Sequence, residues 1–185
     1  RLNIKGLPID GLKLIGKESL VDSRGHFMRL FCAEQLTAAG WTKPVAQINH
    51  TYTSRKGTVR GMHYQRSPHS EMKLVSCIRG EILDVVVDLR NDSKTYLQHH
   101  VELLSAENGK ALLIPEGFAH GFQSLTHDVE LIYCHSMFYN SEAEAGLSPS
   151  DERLRIEWPL AITEISNRDQ NHPLIDQYFE GLNRL

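Results

Sequence analysis

The chain has 185 residues, with 20 Lys+Arg against 23 Asp+Glu and a formal charge of −3. That length suits one domain of roughly 100–200 residues with a full core, and 41% hydrophobic with 23% charged residues excludes a disordered composition. The near-neutral balance gives no electrostatic reason to bind nucleic acid or an anionic membrane, and no apolar run approaches the roughly 18 residues of a membrane span.

In chain order, Leu12–Ile15 reads as a short extended piece. The turn Asp22-Ser23-Arg24-Gly25 follows, then His26–Phe31 as a second extended piece. Glu34–Ala39 is the first plausible helix, stopped by Gly40. From there the pattern is strand after strand: Val45–Thr53, Lys73–Ile78, Glu81–Asp88, His99–Leu104, Lys110–Ile114, Gly121–Ser124 and Glu130–Met137. Turn signals such as Arg79-Gly80, Arg90-Asn91-Asp92-Ser93 and Asn108-Gly109 separate them. Short strands at this spacing predict an all-β jelly roll. The stretch 140–185 is more irregular and partly helical, broken by Pro149, Pro159 and Pro173, and is too short for a second domain. The chain is therefore read as one domain over 1–185.

Cys32, Cys77 and Cys134 are far apart and form no CxxC pair, which fits free thiols and a cytoplasmic location. No charged-then-apolar leader opens the sequence, so no signal peptide is expected.

The chain carries 10 histidines, and two of them sit beside Gly/Pro punctuation. Gly109 to His120 reads G-x5-P-x-G-x2-H, with Ser124 where an Asn would complete the second motif of the cupin barrels. That segment resembles a cupin, because Gly, Pro and Gly set turns at fixed spacing around one inward His. In the corresponding first motif, metal-binding cupins place His-x-His and a Glu. Here His63-Tyr64-Gln65 puts Gln at the second His, and Lys73 lies where an acid would be sought. Only His63 and His120 remain as good ligands, whereas transition-metal sites usually take at least three. The expectation is a cupin barrel with no metal and no cofactor. Regular alternation would put Arg60 and His63 on opposite faces of their strand. A bulge at Gly61 would bring them together, and an inward cation calls for an anionic, phosphate-bearing ligand.

From about Gly11 to Pro173 the chain resembles the nucleotide-sugar 3,5-epimerases typified by dTDP-4-dehydrorhamnose 3,5-epimerase. The carriers are Asp22-Ser23-Arg24-Gly25, Gln47-Ile48-Asn49-His50, Val59 to Gln65, Lys73-Leu74-Val75, Arg79 to Val85, Ile114 to Phe122 and Ser166-Asn167-Arg168-Asp169. The resemblance implies a cupin-type jelly-roll barrel with a short helical C-terminal tail. It also implies a homodimer in which strands of residues 1–45 are exchanged. For the chemistry it implies His63 as general base, Asp169 as its orienting carboxylate, Tyr133 as the acid on the opposite face and Lys73 steadying the enolate. Arg24, Arg29, Gln47, Asn49, Arg60, His120, Glu144 and Arg168 are the implied substrate contacts, with Tyr139 stacking on the nucleotide base. The family usually has an acid at Arg29, Asp at Ile48, Lys at Cys134 and Arg168, and a Trp near Leu147–Asp151. These departures lead us to expect a shifted or loosened choice of nucleotide. A metal-dependent cupin oxygenase and a non-catalytic sugar-binding cupin are the readings from other classes.

Overall fold

The computed structural model describes residues 1–183, so the last two residues of the expected tail, 184 and 185, lie outside the described residues. Thirteen strands and two short helices follow one another: β1 (Leu2–Gly6), β2 (Lys13–Lys17), β3 (Ser19–Asp22), β4 (Gly25–Met28), α1 (Ala33–Thr37), β5 (Gln47–Thr53), β6 (Val59–Gln65), β7 (Lys73–Arg79), β8 (Glu81–Asp88), β9 (His99–Ser105), β10 (Lys110–Ile114), β11 (Phe118–Ser124), β12 (Val129–His135), β13 (Glu144–Gly146) and α2 (Asn167–Gln170). The expected strands are present to within three residues at each end. The tail is mostly turns, with α2 its one described helix. Among the described residues, no helix is long and apolar enough to cross a membrane.

Two antiparallel sheets face each other. One runs β1-β2-β10-β7-β12-β5 and the other β13-β6-β11-β8-β9. Between them lie Val75, Cys77, Ile82, Val86, Leu104, Leu112, Phe118, Phe122 and Leu131. Each sheet is also covered on its outer side. Leu36 of α1 and Trp41 pack on Ile15, Leu74, Leu113 and Cys134. Leu147, Leu154 and Ile175 of the tail pack on Met62, Tyr64, Val85, Val87 and Ala119. Burial on both faces is why β8 reads as the continuous run Val85-Val86-Val87 instead of alternating. It also places Cys134 in the outer layer, away from the space between the sheets.

One irregularity shapes the interior. In the β6–β11 ladder, His63 pairs with His120 and Arg60 with Phe122, so three steps on β6 answer two on β11. The extra residue is a bulge at Gly61, whose φ is +140°. A Cβ there would lie 2.7 Å from the Cα of Gly121, so only glycine permits the approach. The expected consequence follows: Arg60 and His63 face the same cavity.

Residues 19–28 form a separate two-stranded hairpin, β3–β4, with Leu20 opposite Phe27. Its apolar side chains stand in solvent, with Leu20 66%, Val21 76% and Phe27 66% exposed.

Candidate active site

Inward-facing positions change character along the strands. On β12 the inward row runs Val129, Leu131, Tyr133, His135, and on β7 it runs Cys77, Val75, Lys73. The apolar ends build the core and the polar ends build a cavity of about 470 Å³ between the sheets. Period two does the same on β5, where Gln47, Asn49 and Thr51 enter the cavity. The facing sheet supplies Arg60, His63 and Gln65 from β6, His120 and Phe122 from β11, and Glu144 from β13. Nine of the thirteen residues expected from the sequence thus line one space: Gln47, Asn49, Arg60, His63, Lys73, His120, Tyr133, Tyr139 and Glu144.

Asp169 and Arg168 line an adjoining cavity that shares Arg60 and His63. Ser166 caps α2 by accepting the Asp169 N–H, which fixes the short helix. Asp169 Oδ1 lies 2.6 Å from His63 Nε2, and Oδ2 accepts the Gly61 N–H at 3.0 Å. Burial alone would raise the Asp169 carboxyl, but the His63 bond, its charge and the Gly61 donor bring it down to about 2. His63 moves below its ordinary 6.5, because burial outweighs the help of Asp169. With Nε2–H given to an ionised carboxylate, Nδ1 carries the free lone pair, and it has no hydrogen-bond partner among the described residues. The arrangement is a neutral imidazole held in one tautomer, ready to take a proton.

On the opposite sheet, burial and the Asp84 charge push the Tyr133 phenol well above its ordinary range, while Thr51 and Arg60 pull the other way. Tyr133 is therefore protonated and placed to donate. Lys73 Nζ lies 3.3 Å from Glu71 Oε1, and Glu71 Oε2 accepts from His135 Nδ1 at 2.9 Å. His135 Nε2 in turn meets the Asn49 amide at 3.2 Å. His120 is 5% exposed, and its Nε2 lies 2.6 Å from Asp84 Oδ1. Burial raises the Asp84 carboxyl, and Asp84 Oδ2 is buried without a hydrogen-bond partner. The His120 ring meets Tyr133 edge-on, with centroids 5.9 Å apart.

At the rim, Tyr139 is 56% exposed and donates its hydroxyl to Glu144, whose other oxygen accepts from Arg168 at 2.9 Å. Gln65 spends its amide on the carbonyls of His69 and Phe138 and on the Asn140 N–H, so it braces a loop. Arg24 and Arg29 are not brought to this cavity within one chain. Arg24 pairs with Asp22 in the hairpin turn, and Arg29 contacts Gln35.

Four site residues escaped the sequence reading. Glu71 and His135 each sit two positions from an expected residue, on the same strand face or its approach, so period two was the available signal. Asp84 was visible as an acid inside an apolar strand. His172, whose Nε2 lies 3.0 Å from Asp169 Oδ1, follows that acid by three residues.

The family model for dTDP-4-dehydrorhamnose 3,5-epimerase matches residues 6–177. A dTDP-4-dehydrorhamnose 3,5-epimerase of Shigella flexneri is 42% identical over 151 residues, 81% of this chain and 83% of the relative. The crystal structure of an epimerase from Legionella pneumophila in complex with dTDP-4-keto-L-rhamnose superposes with a TM-score of 0.92 at 36% identity, covering 100% of both chains. A dTDP-4-dehydrorhamnose 3-epimerase of Streptomyces niveus is 34% identical over 94% of this chain and 84% of its own. A histidine bonded to a buried carboxylate, a protonated tyrosine on the facing sheet and these likenesses agree: the chain belongs to the dTDP-4-dehydrorhamnose 3,5-epimerase family of isomerases.

Proposed function

We propose that this chain inverts C3 and C5 of a dTDP-linked 4-keto-6-deoxyhexose without metal or redox cofactor. The observation that carries the reading is the placement of His63 and Tyr133 on facing sheets of one cavity, with Lys73 between the same walls. A C4 ketone acidifies the hydrogens on both neighbouring carbons. Neutral His63 takes one of them, Lys73 meets the charge that develops on the ketone oxygen, and Tyr133 returns a proton to the other face. Asp169 steadies the imidazolium that forms between the two steps. Tyr139, Gln47 and Arg168 at the rim suit the nucleotide end of the substrate. Ile48 is 63% exposed on the outward side of β5, and Arg29 lies off the cavity. Within one chain, then, Ile48 does not touch the cavity, while Arg29 lies beside the β3–β4 hairpin and bears on nucleotide choice only through a second copy; the similar epimerase in complex with dTDP-4-keto-L-rhamnose supports a dTDP-linked substrate.

The test is incubation with dTDP-, CDP- and GDP-4-keto-6-deoxyhexoses in D₂O, followed by NMR. The expected result is deuterium at both C3 and C5 of the dTDP-sugar, with inverted product. The Streptomyces niveus relative, named a 3-epimerase, supports a second reading in which C3 alone is inverted. Deuterium confined to C3 would decide for it, and no exchange with any of the three sugars would reject the enzymatic reading.

The active form in this proposal is a homodimer joined through the β3–β4 hairpin. The support is the exposed pair Leu20 and Phe27 with neighbouring Val21. Burying such side chains against a second copy stabilises by about 1.5–3 kcal/mol each. The same movement would carry Arg24 to a second copy's cavity. Phe27→Asp is expected to shift the mass in solution from twice the 21.0 kDa of one chain to a single copy, read by light scattering. A wild-type chain that is monomeric at micromolar concentration would reject the dimer.

A further inference from the structure

We infer that His63, Asp169 and His172 form a binding site for a divalent transition cation of the zinc class, and that occupancy silences the enzyme by capturing its base. The silencing half rests on His63 being that base. The three ligand atoms all lie within 4.8 Å of one another. Asp169 Oδ1 is 2.6 Å from His63 Nε2 and 3.0 Å from His172 Nε2. Two imidazoles and a carboxylate are donors that zinc accepts, and tetrahedral bonds of about 2.0–2.1 Å put ligand atoms roughly 3.3 Å apart. To admit the ion, Asp169 Oδ1 draws back from 2.6 Å to roughly 3.3 Å from His63 Nε2 and from 3.0 Å to roughly 3.3 Å from His172 Nε2, while the two imidazoles, whose ligand atoms lie within 4.8 Å, turn toward the same point.

The cluster is braced at His172 and at Asp169 and open at His63. A Cβ on Gly146 would collide with the His172 imidazole, so that ring rests directly on the backbone of β13. Asp169 Oδ2 keeps the Gly61 N–H, a supporting bond that orients a metal-binding carboxylate. The side chains of His172 and Asp169 are 12% and 4% exposed, while that of His63 is 28% exposed and opens on both cavities. Three protein ligands leave a fourth position for water or a substrate oxygen.

Proton balance explains the silencing. In the metal-free state each histidine gives Nε2–H to the carboxylate, and the basic nitrogen of His63 is Nδ1. Binding needs the Nε2 lone pairs, so each ring proton moves to Nδ1 while Asp169 stays ionised, and no proton is released overall. His63 then has one nitrogen on the metal and a hydrogen on the other, and no base remains. Arg168, with Nε 3.9 Å from Asp169 Oδ1, and the charge of Lys73 on His63 oppose the ion. That opposition suits a reversible inhibitory site over a permanent structural one.

The test uses Zn²⁺ and Co²⁺ chlorides on the full chain, with binding and turnover measured separately. Competition against a chromophoric chelator gives zinc affinity, and the visible d–d absorption of Co²⁺ reports a four-coordinate site. Zinc is expected to abolish turnover, EDTA to restore it in full, and His172→Gln to weaken zinc binding by about tenfold or more. The variant is compared with its own metal-free rate, and a thermal melt checks its fold. His172→Asn serves if Gln does not fold. Binding that neither substitution weakens would overturn the site and leave His63's catalytic role standing. Zinc bound in a His172-dependent way with turnover unchanged would overturn the silencing, and His63 as base with it.

Discussion

His63→Asn is expected to abolish solvent-deuterium incorporation and inverted product together. Both outcomes need the enolate, and the enolate needs a base. The amide of Asn can still donate to Asp169, so the buried carboxylate keeps a partner and the fold is spared an unpaired charge. What disappears is the basic nitrogen, and loss of a positioned acid or base costs about 10²–10⁴-fold. The wild-type pH profile carries a second signature of the same group. A general base works in its neutral form, so kcat/KM falls as pH drops through its pKa. Burial sets His63 below its ordinary 6.5, so the acid limb should lie below pH 6.5 and the rate should be flat just above it. Exchange at the parental rate in His63→Asn would show that another group removes the proton. An acid limb well above 6.5 would show that a different ionisation is being read.

The parts of this site that were legible in the sequence are those in which one strand carries its own signal. Gly117 and His120 sit at motif spacing, and period two on β5 places Gln47 and Asn49 together. The bulge could be argued from Gly61 because a glycine inside a strand needs a reason. Contacts across the chain had no such signal. His63 and Asp169 are 106 residues apart, and only the resemblance paired them. His120 was read as a substrate contact, but its buried partner Asp84 lies on another strand, where an acid inside an apolar run does not say what it pairs with. Glu71 and His135 form a bond that no local pattern announces. Arg24 and Arg29 differ in kind. They sit on or beside a hairpin that pairs with no other strand of its own chain, so its packing depends on a surface outside a single copy.

Tyr133→Phe should separate the two halves of the reaction. The substitution keeps the ring, including its edge-on contact with His120, and removes only the hydroxyl. His63, Asp169 and Lys73 are untouched, so the enolate still forms. The proton held by His63 exchanges with solvent and can return to the face it left, which writes deuterium into the sugar without inversion. Inverted product needs a donor on the other sheet, and there the hydroxyl is gone. Burial keeps the wild-type phenol protonated far above neutral pH, so its supply of protons does not vary across the working range. A carbanion-like enolate carbon is basic enough to take a proton from so weak an acid, and Arg60 and Thr51 ease the charge left on the oxygen. The expected result is deuterium incorporation that persists while inverted product falls by about 10²-fold or more. A variant that loses exchange and inversion equally would place Tyr133 in the first step. Inversion at the parental rate would move the acid to His135 or to water in the cavity.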